Sequence, residues 1–307
     1  MGKKLYIECN TGISGDMTVA SLLDLGADKE KLIAVLDSLK QKVGGFDVKI
    51  SSVDVSAIKA CDFDVLLDED NHDHDMDYLY GHTHGEEHTH GHHHDEEHSH
   101  EQQHHHHDDE HTHEHHHEHH HEHTHDHHHE HGHVHRSLSD VVDIINSAEM
   151  TDSARELAIK IFTIVAEAEA AVHGRSIDEV HFHEVGAIDS IVDIIAAAVC
   201  YDDIVSKNEI DETIITKLVD GTGTVRCQHG VLPIPVPAVL KIAEQTGVPL
   251  SIANRMGEYV TPTGAAFAAA VMTKKNLPDS FTIVKTGLGA GKRKHEVPGI
   301  VRAMIIE

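Results

Sequence analysis

The stretch HFHEVGAIDSIVD, residues 181–193, places two histidines, a glutamate and two aspartates just ahead of an apolar helical pattern. If EVHFH, residues 179–183, forms a strand that leads into this stretch, side-chain alternation puts His181 and His183 on one face. If a helix begins near Asp189, then Asp189 and Asp193 share one helical face at its N-terminal end. Such nitrogen and oxygen donors suit zinc, nickel, cobalt or iron. We therefore predict a metal site formed by His181, His183, Asp189 and Asp193.

Helix capping is the competing interpretation of the same stretch. Aspartate is a routine N-cap residue, so capping by Asp189 and metal or catalytic chemistry at Asp189 stay open as alternatives. Asp193 could equally be a solvated residue of the helix. If the stretch is catalytic, four residues are the candidates: His181, His183, Glu184 and Asp189.

Two more motifs predict helix starts that could hold an anion. GISGDM, residues 12–17, follows the first predicted strand, and TPTGAA, residues 261–266, opens a small-residue helix. Unpaired N–H groups at a helix N-terminus attract phosphate. A plain capped helix is the alternative for both motifs, and Asp16 favours a metal or a metal-bound phosphate over a bare one. The predicted cofactor-binding residues are Gly12, Ser14, Gly15, Asp16, Thr261, Thr263 and Gly264.

The motif RCQHG, residues 226–230, adds a cation, a thiol and an imidazole ahead of the proline-rich PIPVPA. Cys227 and His229, two residues apart, could ligate a soft to borderline metal. An inert cysteine beside a surface histidine is the interpretation that the sequence favours.

Residues 72–135 are dominated by histidine, with 31 histidines and 17 Asp or Glu among 64 residues and no Lys or Arg. Such a segment cannot bury enough apolar surface to offset the entropy of ordering, so we predict a disordered insertion. Imidazoles next to carboxylates chelate late transition metals in almost any conformation. We expect metal storage or delivery, and a solubilising spacer is the alternative. The predicted ligands include His115, His116, His117, His119, His120, His121, His127, His128 and His129.

Composition excludes several classes of function. The formal charge of -29 at pH 7, with no Lys/Arg cluster, argues against a nucleic-acid partner. The four cysteines lie far apart, which indicates free thiols in a reducing compartment. Because no apolar stretch approaches the ~20 residues of a membrane span and no signal-peptide core is present, we expect a soluble, cytoplasmic protein without a membrane partner.

The rest of the sequence predicts a mixed fold in two pieces, residues 1–71 and 136–307, that fold together. KLYIE, VKISSVDV and CDFDVLL alternate like strands, whereas DKEKLIAVLDSL carries an apolar helical stripe. Strands and helices interleave along both pieces. We therefore predict an α/β to α+β fold, a mixed sheet with interleaved helices, interrupted by the insertion at 72–135.

Helix boundaries in the second piece are marked by their caps. Ser137 and Asp140 fit a capping box at the start of one helix. A longer helix is predicted from Thr151 to His173, with Gly174 placed to end it.

Four motifs in a fixed order, GISGDM, HFHEVGAIDSIVD, GTGTVRCQHGVLPIPVPA and GEYVTPTGAA, resemble the LarC family of nickel-insertion proteins. The resemblance covers both pieces outside residues 72–135. It implies a nickel chelatase or cyclometallase of the lyase class, which installs nickel into pyridinium-3,5-bisthiocarboxylic acid mononucleotide. Two sulfur–nickel bonds and one carbon–nickel bond form, and the product is the nickel-pincer cofactor of lactate racemase.

The resemblance also implies partners. Full-length members use CTP with magnesium and continue into a C-terminal region to which CTP binding is attributed, so we expect this chain to be the N-terminal portion. In some members the two halves are separate products, which implies a separately encoded C-terminal half. An acceptor enzyme of the lactate racemase type is implied as well, and we expect a homo-oligomer.

Two other classes of function stay open. The size of the His-rich segment favours a non-catalytic nickel storage or chaperone protein as the main alternative. Asp and Gly-rich turns at helix starts suggest a metal-dependent phosphohydrolase acting on nucleotides as a weaker one.

Overall fold

The computed structural model describes residues 2–68, 136–180, 182, 186–227, 229–293 and 295–307. The insertion predicted at 72–135 lies outside the described residues, together with its nine candidate ligands. His181, His183 and Glu184 of the predicted metal and catalytic cluster also lie outside them.

The described residues form ten strands and seven α-helices. The strands are β1 (Lys4–Glu8), β2 (Phe46–Val55), β3 (Ile58–Leu67), β4 (Glu212–Ile214), β5 (Leu218–Thr222), β6 (Thr224–Cys227), β7 (Gly230–Pro233), β8 (Leu250–Met256), β9 (Ile283–Ala290) and β10 (Ile300–Ile306). The helices are α1 (Gly15–Leu25), α2 (Lys29–Val43), α3 (Leu138–Ser147), α4 (Asp152–His173), α5 (Ile188–Asn208), α6 (Pro237–Thr246) and α7 (Pro262–Val271). In this part of the chain, no helix has the length and apolar character that crossing a bilayer requires.

A six-stranded mixed sheet is the centre of the fold, in the order β2-β3-β9-β10-β1-β4. β1 pairs antiparallel with β10 and parallel with β4, and β3 pairs parallel with β9. Strands that precede residue 69 and strands that follow residue 136 therefore share this sheet. β5 and β8 form a small parallel pair, while β6 and β7 form a hairpin. The predicted mixed sheet with interleaved helices is confirmed.

The core lies between the sheet and its helices and is largely aliphatic. α1 packs against β9 and β3, α5 packs against α1, and α4 packs against α5, α6 and α7. On α2, the predicted stripe of Leu32, Val35, Leu36 and Leu39 is buried. Burying a side chain of this size contributes about 1.5–3 kcal/mol, so the helical period of these four residues is enough to dock α2.

The predicted capping box of α3 and the predicted glycine end of α4 are confirmed. Ser137 and Asp140 form a reciprocal capping box at the start of α3. Gly174 ends α4 in the left-handed conformation, whereas Thr151, predicted as the first residue of α4, is its N-cap and accepts a hydrogen bond from the backbone N–H of Ala154 at 3.3 Å. Local chemistry thus determines where these two helices begin and where α4 ends.

The four cysteines are free thiols, as their spacing predicts. Burial raises the pKa of the Cys61 thiol to about 11 and raises the pKa of Cys9 and Cys200 still further. These three thiols therefore stay protonated and poorly nucleophilic at neutral pH.

The strand predicted over EVHFH is wrong at its first residue. Glu179 ends a 3-10 turn, Ile177–Glu179, because its carboxylate accepts a hydrogen bond from the Ser176 N–H at 3.3 Å. Phe182 forms only an isolated bridge with Arg136 and packs edge-on against Phe162, with ring centroids 5.3 Å apart. The aromatic contact and a hydrogen bond from the Phe182 N–H to the Arg136 carbonyl at 2.9 Å hold this residue in the core.

Candidate functional site

A cavity of about 530 Å³ lies where several chain segments meet. Four of them are the loop from β1 into α1, the first turns of α5, the turn from β8 into α7, and the loop between β9 and β10. Three motifs that are far apart in the sequence, GISGDM, AIDSIVD and TPTGAA, contribute to its lining. Its volume falls in the range of small-molecule binding sites, about 300–1,000 Å³.

Backbone hydrogen bonds hold the first of these segments against the third. The Ile13 N–H donates to the Tyr259 carbonyl at 2.9 Å, and the Thr261 N–H donates to the Ile13 carbonyl at 3.0 Å. Gly12 has a φ of 94°, and a Cβ there would lie 2.1 Å from the Tyr259 carbonyl oxygen. Only glycine fits both the conformation and the contact, so Gly12 fixes how the two segments approach.

Three aspartates from two helix starts form what we call the acidic floor of the cavity: Asp16, Asp189 and Asp193. The Asp193 carboxylate lies against Gly15, where a Cβ would approach Oδ2 to 2.5 Å. It accepts a hydrogen bond from the backbone N–H of Asp16, and the Ser14 hydroxyl donates to the Asp16 carboxylate. The N-terminus of α1 therefore already faces a carboxylate of the protein.

The acidic floor is electrostatically unfavourable unless it is neutralised. Burial raises the pKa of Asp193 well above its ordinary value of 3.8, and the negative charges of Asp16 and Asp189 raise it further, against a lowering effect from Lys292. Oδ1 of Asp193 is buried and has no hydrogen-bond partner among the described residues. A buried carboxylate oxygen in this state favours a proton or a cation.

Asp189 is not a helix cap. α5 begins at Ile188, and its N-cap is Ala187, which offers no side-chain hydrogen bond. The capping interpretation of Asp189 is therefore wrong, because a cap at Asp189 requires a helix that starts at Ser190, two residues later than α5 does. Asp189 lines the cavity from the first turn of α5, four residues before Asp193 and on the same helical face.

Asp220 of β5 anchors the turn that leads into α7. Its Oδ1 accepts hydrogen bonds from the backbone N–H groups of Gly221 at 2.8 Å, Tyr259 at 2.8 Å and Val260 at 3.2 Å. Burial raises the pKa of this carboxyl, although the three hydrogen bonds oppose the shift. One side chain therefore organises the backbone on which Glu258 and Tyr259 reach the cavity.

The loop between β9 and β10 brings positive charge to the cavity. Lys292 forms an ion pair with Asp64 of β3, and Arg293 forms one with Glu258. Both pairs are partly buried at the cavity lining. Each cation is therefore held in place by a carboxylate from another segment while it still contributes to the lining.

An aromatic cluster lies beside these ion pairs. The His295 ring stacks on the Tyr259 ring, with centroids 4.2 Å apart and planes at 30°. The Arg255 guanidinium carbon lies 3.9 Å from the centroid of the same tyrosine ring. Burial, followed by the charge of Arg293, lowers the pKa of His295, so this imidazole is neutral at pH 7.

The structure brings most of the described candidate residues to the cavity. Those that line it are Ser14, Gly15, Asp16, Asp189, Asp193, Thr261 and Thr263. Gly12 and Gly264 do not line it and instead allow the backbones of neighbouring segments to approach. Thr261 caps α7 as predicted, accepting from the Gly264 N–H at 3.2 Å.

The predicted metal site is present only in part among the described residues. Asp189 and Asp193 lie together, whereas His181 and His183 are outside the described ranges. Within those ranges, no group of three or more His, Cys, Asp or Glu side chains is arranged to hold a metal ion. The four-residue ligand set therefore stays a prediction.

Several lining or supporting residues were missed by the sequence reasoning: Asp220, Glu258, Tyr259, Lys292 and Arg293. A signal existed for Asp220, because an aspartate directly after two strand-forming apolar residues, Leu218 and Val219, is rarely buried without a function. The ion pairs of Lys292 and Arg293 join segments far apart in sequence, and nothing in their local sequence indicates them.

Fold and cavity together define a mixed α/β protein with an acidic cavity at converging helix starts. The chain belongs to the nickel insertion protein family, whose family model matches residues 5–307. The family expected from the four motifs is therefore confirmed.

Two relatives are named pyridinium-3,5-bisthiocarboxylic acid mononucleotide nickel insertion protein. The chain is 45% identical over 308 residues to the one from Alkaliphilus metalliredigens, covering 100% of this chain and 61% of that protein. It is 40% identical over 306 residues to the one from Clostridium acetobutylicum, covering 99% of this chain and 64% of that protein. The chain thus spans about three fifths of the length of these relatives. No solved structure matches it.

Proposed function

We propose that the cavity is the site at which nickel is inserted into pyridinium-3,5-bisthiocarboxylic acid mononucleotide. One observation carries the proposal: three motifs that resemble those of nickel-insertion proteins meet at a cavity whose acidic floor includes a buried carboxyl oxygen with no hydrogen-bond partner among the described residues. The two relatives are named for this reaction. Because the chain spans about three fifths of their length, the activity of the whole relatives is carried over as part of the proposal.

The substrate has chemical features that suit the lining. A mononucleotide is a small molecule, and a cavity of about 530 Å³ is in the range that holds such ligands. Its phosphate is best accommodated at the start of α7, near Thr261 and Thr263, with Lys292 and Arg293 in the same cavity. The start of α1 is less suitable for a phosphate, because the carboxylates of Asp16 and Asp193 already lie there.

Nickel is a substrate of this reaction, and the acidic floor is where we expect it to be positioned. A divalent cation offsets the repulsion among the three aspartates and supplies a partner to the buried Oδ1 of Asp193. Oxygen donors together with imidazoles form a set that nickel accepts. His181 and His183 remain the predicted imidazole ligands.

The chemistry is that of a cyclometallase. Two thiocarboxylate sulfurs and one ring carbon bond to the nickel ion, and the ring carbon loses its hydrogen as a proton. The proton needs an acceptor, and the carboxylates of the acidic floor are the anionic groups that we assign to this role. Assignment to the lyase class follows from the resemblance.

CTP and magnesium are expected for the full-length relatives, and we assign them to the part of those proteins that this chain does not span. We propose two protein partners, a separately encoded C-terminal half and an acceptor enzyme of the lactate racemase type. We also propose that the protein is a cytoplasmic homo-oligomer.

An insertion assay tests the proposal. The full chain is supplied with the C-terminal part of a relative, CTP, magnesium, nickel and the pyridinium mononucleotide, and the nickel-pincer product is quantified by mass spectrometry. Asp189→Asn and Asp193→Asn each lower product formation by about tenfold or more, because each removes a charge from the acidic floor. Asp178→Asn, which changes an exposed acid outside the cavity, is the matched control. If Asp189→Asn and Asp193→Asn both form product at the normal rate, the acidic floor takes no part in the reaction.

A further inference from the structure

At the solvent-exposed side of the cavity, two histidines from different elements lie side by side. His173 is the last residue of α4, and His229 lies in the turn between β6 and β7. Their ring centroids are 5.0 Å apart, with the planes tilted by 38°. Both residues are exposed and both line the cavity, so we call them the mouth pair.

We propose that the mouth pair, His173 and His229, is a docking site for Ni²⁺, from which the ion passes to the acidic floor. The inference rests on the proposed function, because it concerns the metal consumed at the same cavity. No motif assigns His173 to the site, and its pairing with His229 arises only from the tertiary fold, because the two residues lie far apart in the sequence.

The spacing of the two rings suits a shared metal ion. With metal–nitrogen bonds of about 2.1 Å, two imidazoles bound to one ion at tetrahedral or octahedral angles have ring centres roughly 5 Å apart. The observed separation of 5.0 Å matches this spacing. Imidazole is a preferred ligand of nickel.

A carboxylate supports one ring of the mouth pair. Oε2 of Glu169, one helical turn before His173 on α4, lies 3.6 Å from Nε2 of His173. A carboxylate close to one imidazole nitrogen orients the ring and increases the basicity of the other nitrogen, which is the usual arrangement beside metal-bound histidines. Glu169 also lines the cavity.

Two protein ligands are suited to transfer rather than storage. Among the described residues, no group of three or more His, Cys, Asp or Glu side chains could hold a metal ion, so the mouth pair offers two imidazole ligands. An ion held by two imidazoles keeps exchangeable coordination positions, which incoming carboxylate or sulfur ligands can occupy. The floor is more buried than the mouth, so an ion moving inward exchanges water for anionic ligands.

A crystallographic experiment tests the site directly. Crystals of the full chain are soaked with NiCl₂, and anomalous diffraction is recorded at the nickel absorption edge. We expect an anomalous peak between the His173 and His229 rings. The position of the peak separates this site from nickel bound by the many histidines of residues 72–135. A map with no peak between the two rings overturns the proposal.

Kinetics give an independent readout. In the insertion assay, the double variant His173→Gln/His229→Gln raises the KM for nickel by about tenfold and leaves kcat at saturating nickel unchanged. An unchanged KM for nickel overturns the proposal while the proposed function stands. If the unaltered chain forms no product under any condition, the proposed function fails instead, and the crystal soak still decides whether the mouth pair binds Ni²⁺.

Discussion

The carboxylate of Asp193 on α5 lies against the backbone of Gly15 at the start of α1, so closely that a Cβ on Gly15 would approach Oδ2 to 2.5 Å. The same carboxylate accepts the Asp16 N–H. A carboxyl group of α5 thus lies at the N-terminus of α1, and this contact fixes the geometry of the acidic floor.

Gly15→Ala tests this packing. The new methyl group would overlap the Asp193 side chain, and overpacking of this kind costs about 1–3 kcal/mol in the free energy of unfolding. The cost is smaller when Asp193→Gly is already present, because both atoms nearest to the new methyl group, Oδ2 and Cβ, are then absent. A double-mutant cycle by urea denaturation measures the coupling. Purely additive effects would show that the contact is not responsible.

Asp193→Asn tests the pKa of the buried carboxyl. The folded-state pKa is raised above the ordinary value of 3.8, so the folded protein binds this proton more tightly than the unfolded chain. The carboxyl therefore costs no stability below about pH 4 and lowers stability as the pH rises from there toward the folded pKa. We expect the Asn variant to be more stable than the unaltered chain at pH 7 in EDTA, with the difference disappearing near pH 4. Thermal melts across this range measure it, and a difference that does not change with pH contradicts the prediction.

Asp220 can be tested with a matched pair of variants. Asp220→Ala leaves three buried backbone N–H groups, those of Gly221, Tyr259 and Val260, without their acceptor, which costs roughly 2–4 kcal/mol in total. Asp220→Asn keeps an acceptor oxygen and removes a charge that burial disfavours, so its cost stays within about 1 kcal/mol. Chemical denaturation compares the two. Equal losses for Ala and Asn would contradict the anchoring role.

Lys292 offers a test of phosphate recognition. Lys292→Met removes a cation from the cavity, and we expect the affinity for the pyridinium mononucleotide to fall about tenfold, or about 1.4 kcal/mol. Lys285→Met, at an exposed position outside the cavity, changes the net charge equally and serves as the control. Calorimetric titration with the mononucleotide measures both. If both variants bind the mononucleotide with equal affinity, Lys292 does not bind the phosphate.

Residues 72–135 are predicted to collect nickel for the cavity. Deleting them leaves insertion intact when nickel is ample and slows it when nickel is scarce, since a reservoir matters only at low supply. Nickel binding by residues 72–135 also weakens as the pH falls below about 6.5, because protonated imidazoles no longer bind metal. Insertion rates at two nickel concentrations test the first expectation. Complete loss of product at ample nickel, with the fold retained, would instead support a storage protein.

Much of the fold could be predicted from local patterns. The apolar period of α2, the capping box of α3 and the threonine and glycine at the ends of α4 each act within a few residues, so the sequence alone locates these elements. Alternation located β1, β2 and β3 in the same way. The 3-10 turn at Ile177–Glu179 was mistaken for the start of a strand because its capping hydrogen bond competes with an alternating pattern.

The candidate site was predictable only in part. Motif chemistry indicated Ser14, Asp16, Asp189 and Thr261, since helix starts and acidic clusters are visible in a short window. The function of Asp189 was left open between a cap and a ligand, and the exact start of α5 was needed to exclude the cap.

By itself, the sequence determined the local elements, the family and the residue types available for metal chemistry. Only the tertiary structure decided which of these residues meet: Asp193 with Gly15, Asp220 with Tyr259, and His173 with His229. The physical reason is that a cap or an apolar stripe depends on neighbours in the chain. A cavity, a buried charge and a pair of facing rings depend on how separate helices and strands pack.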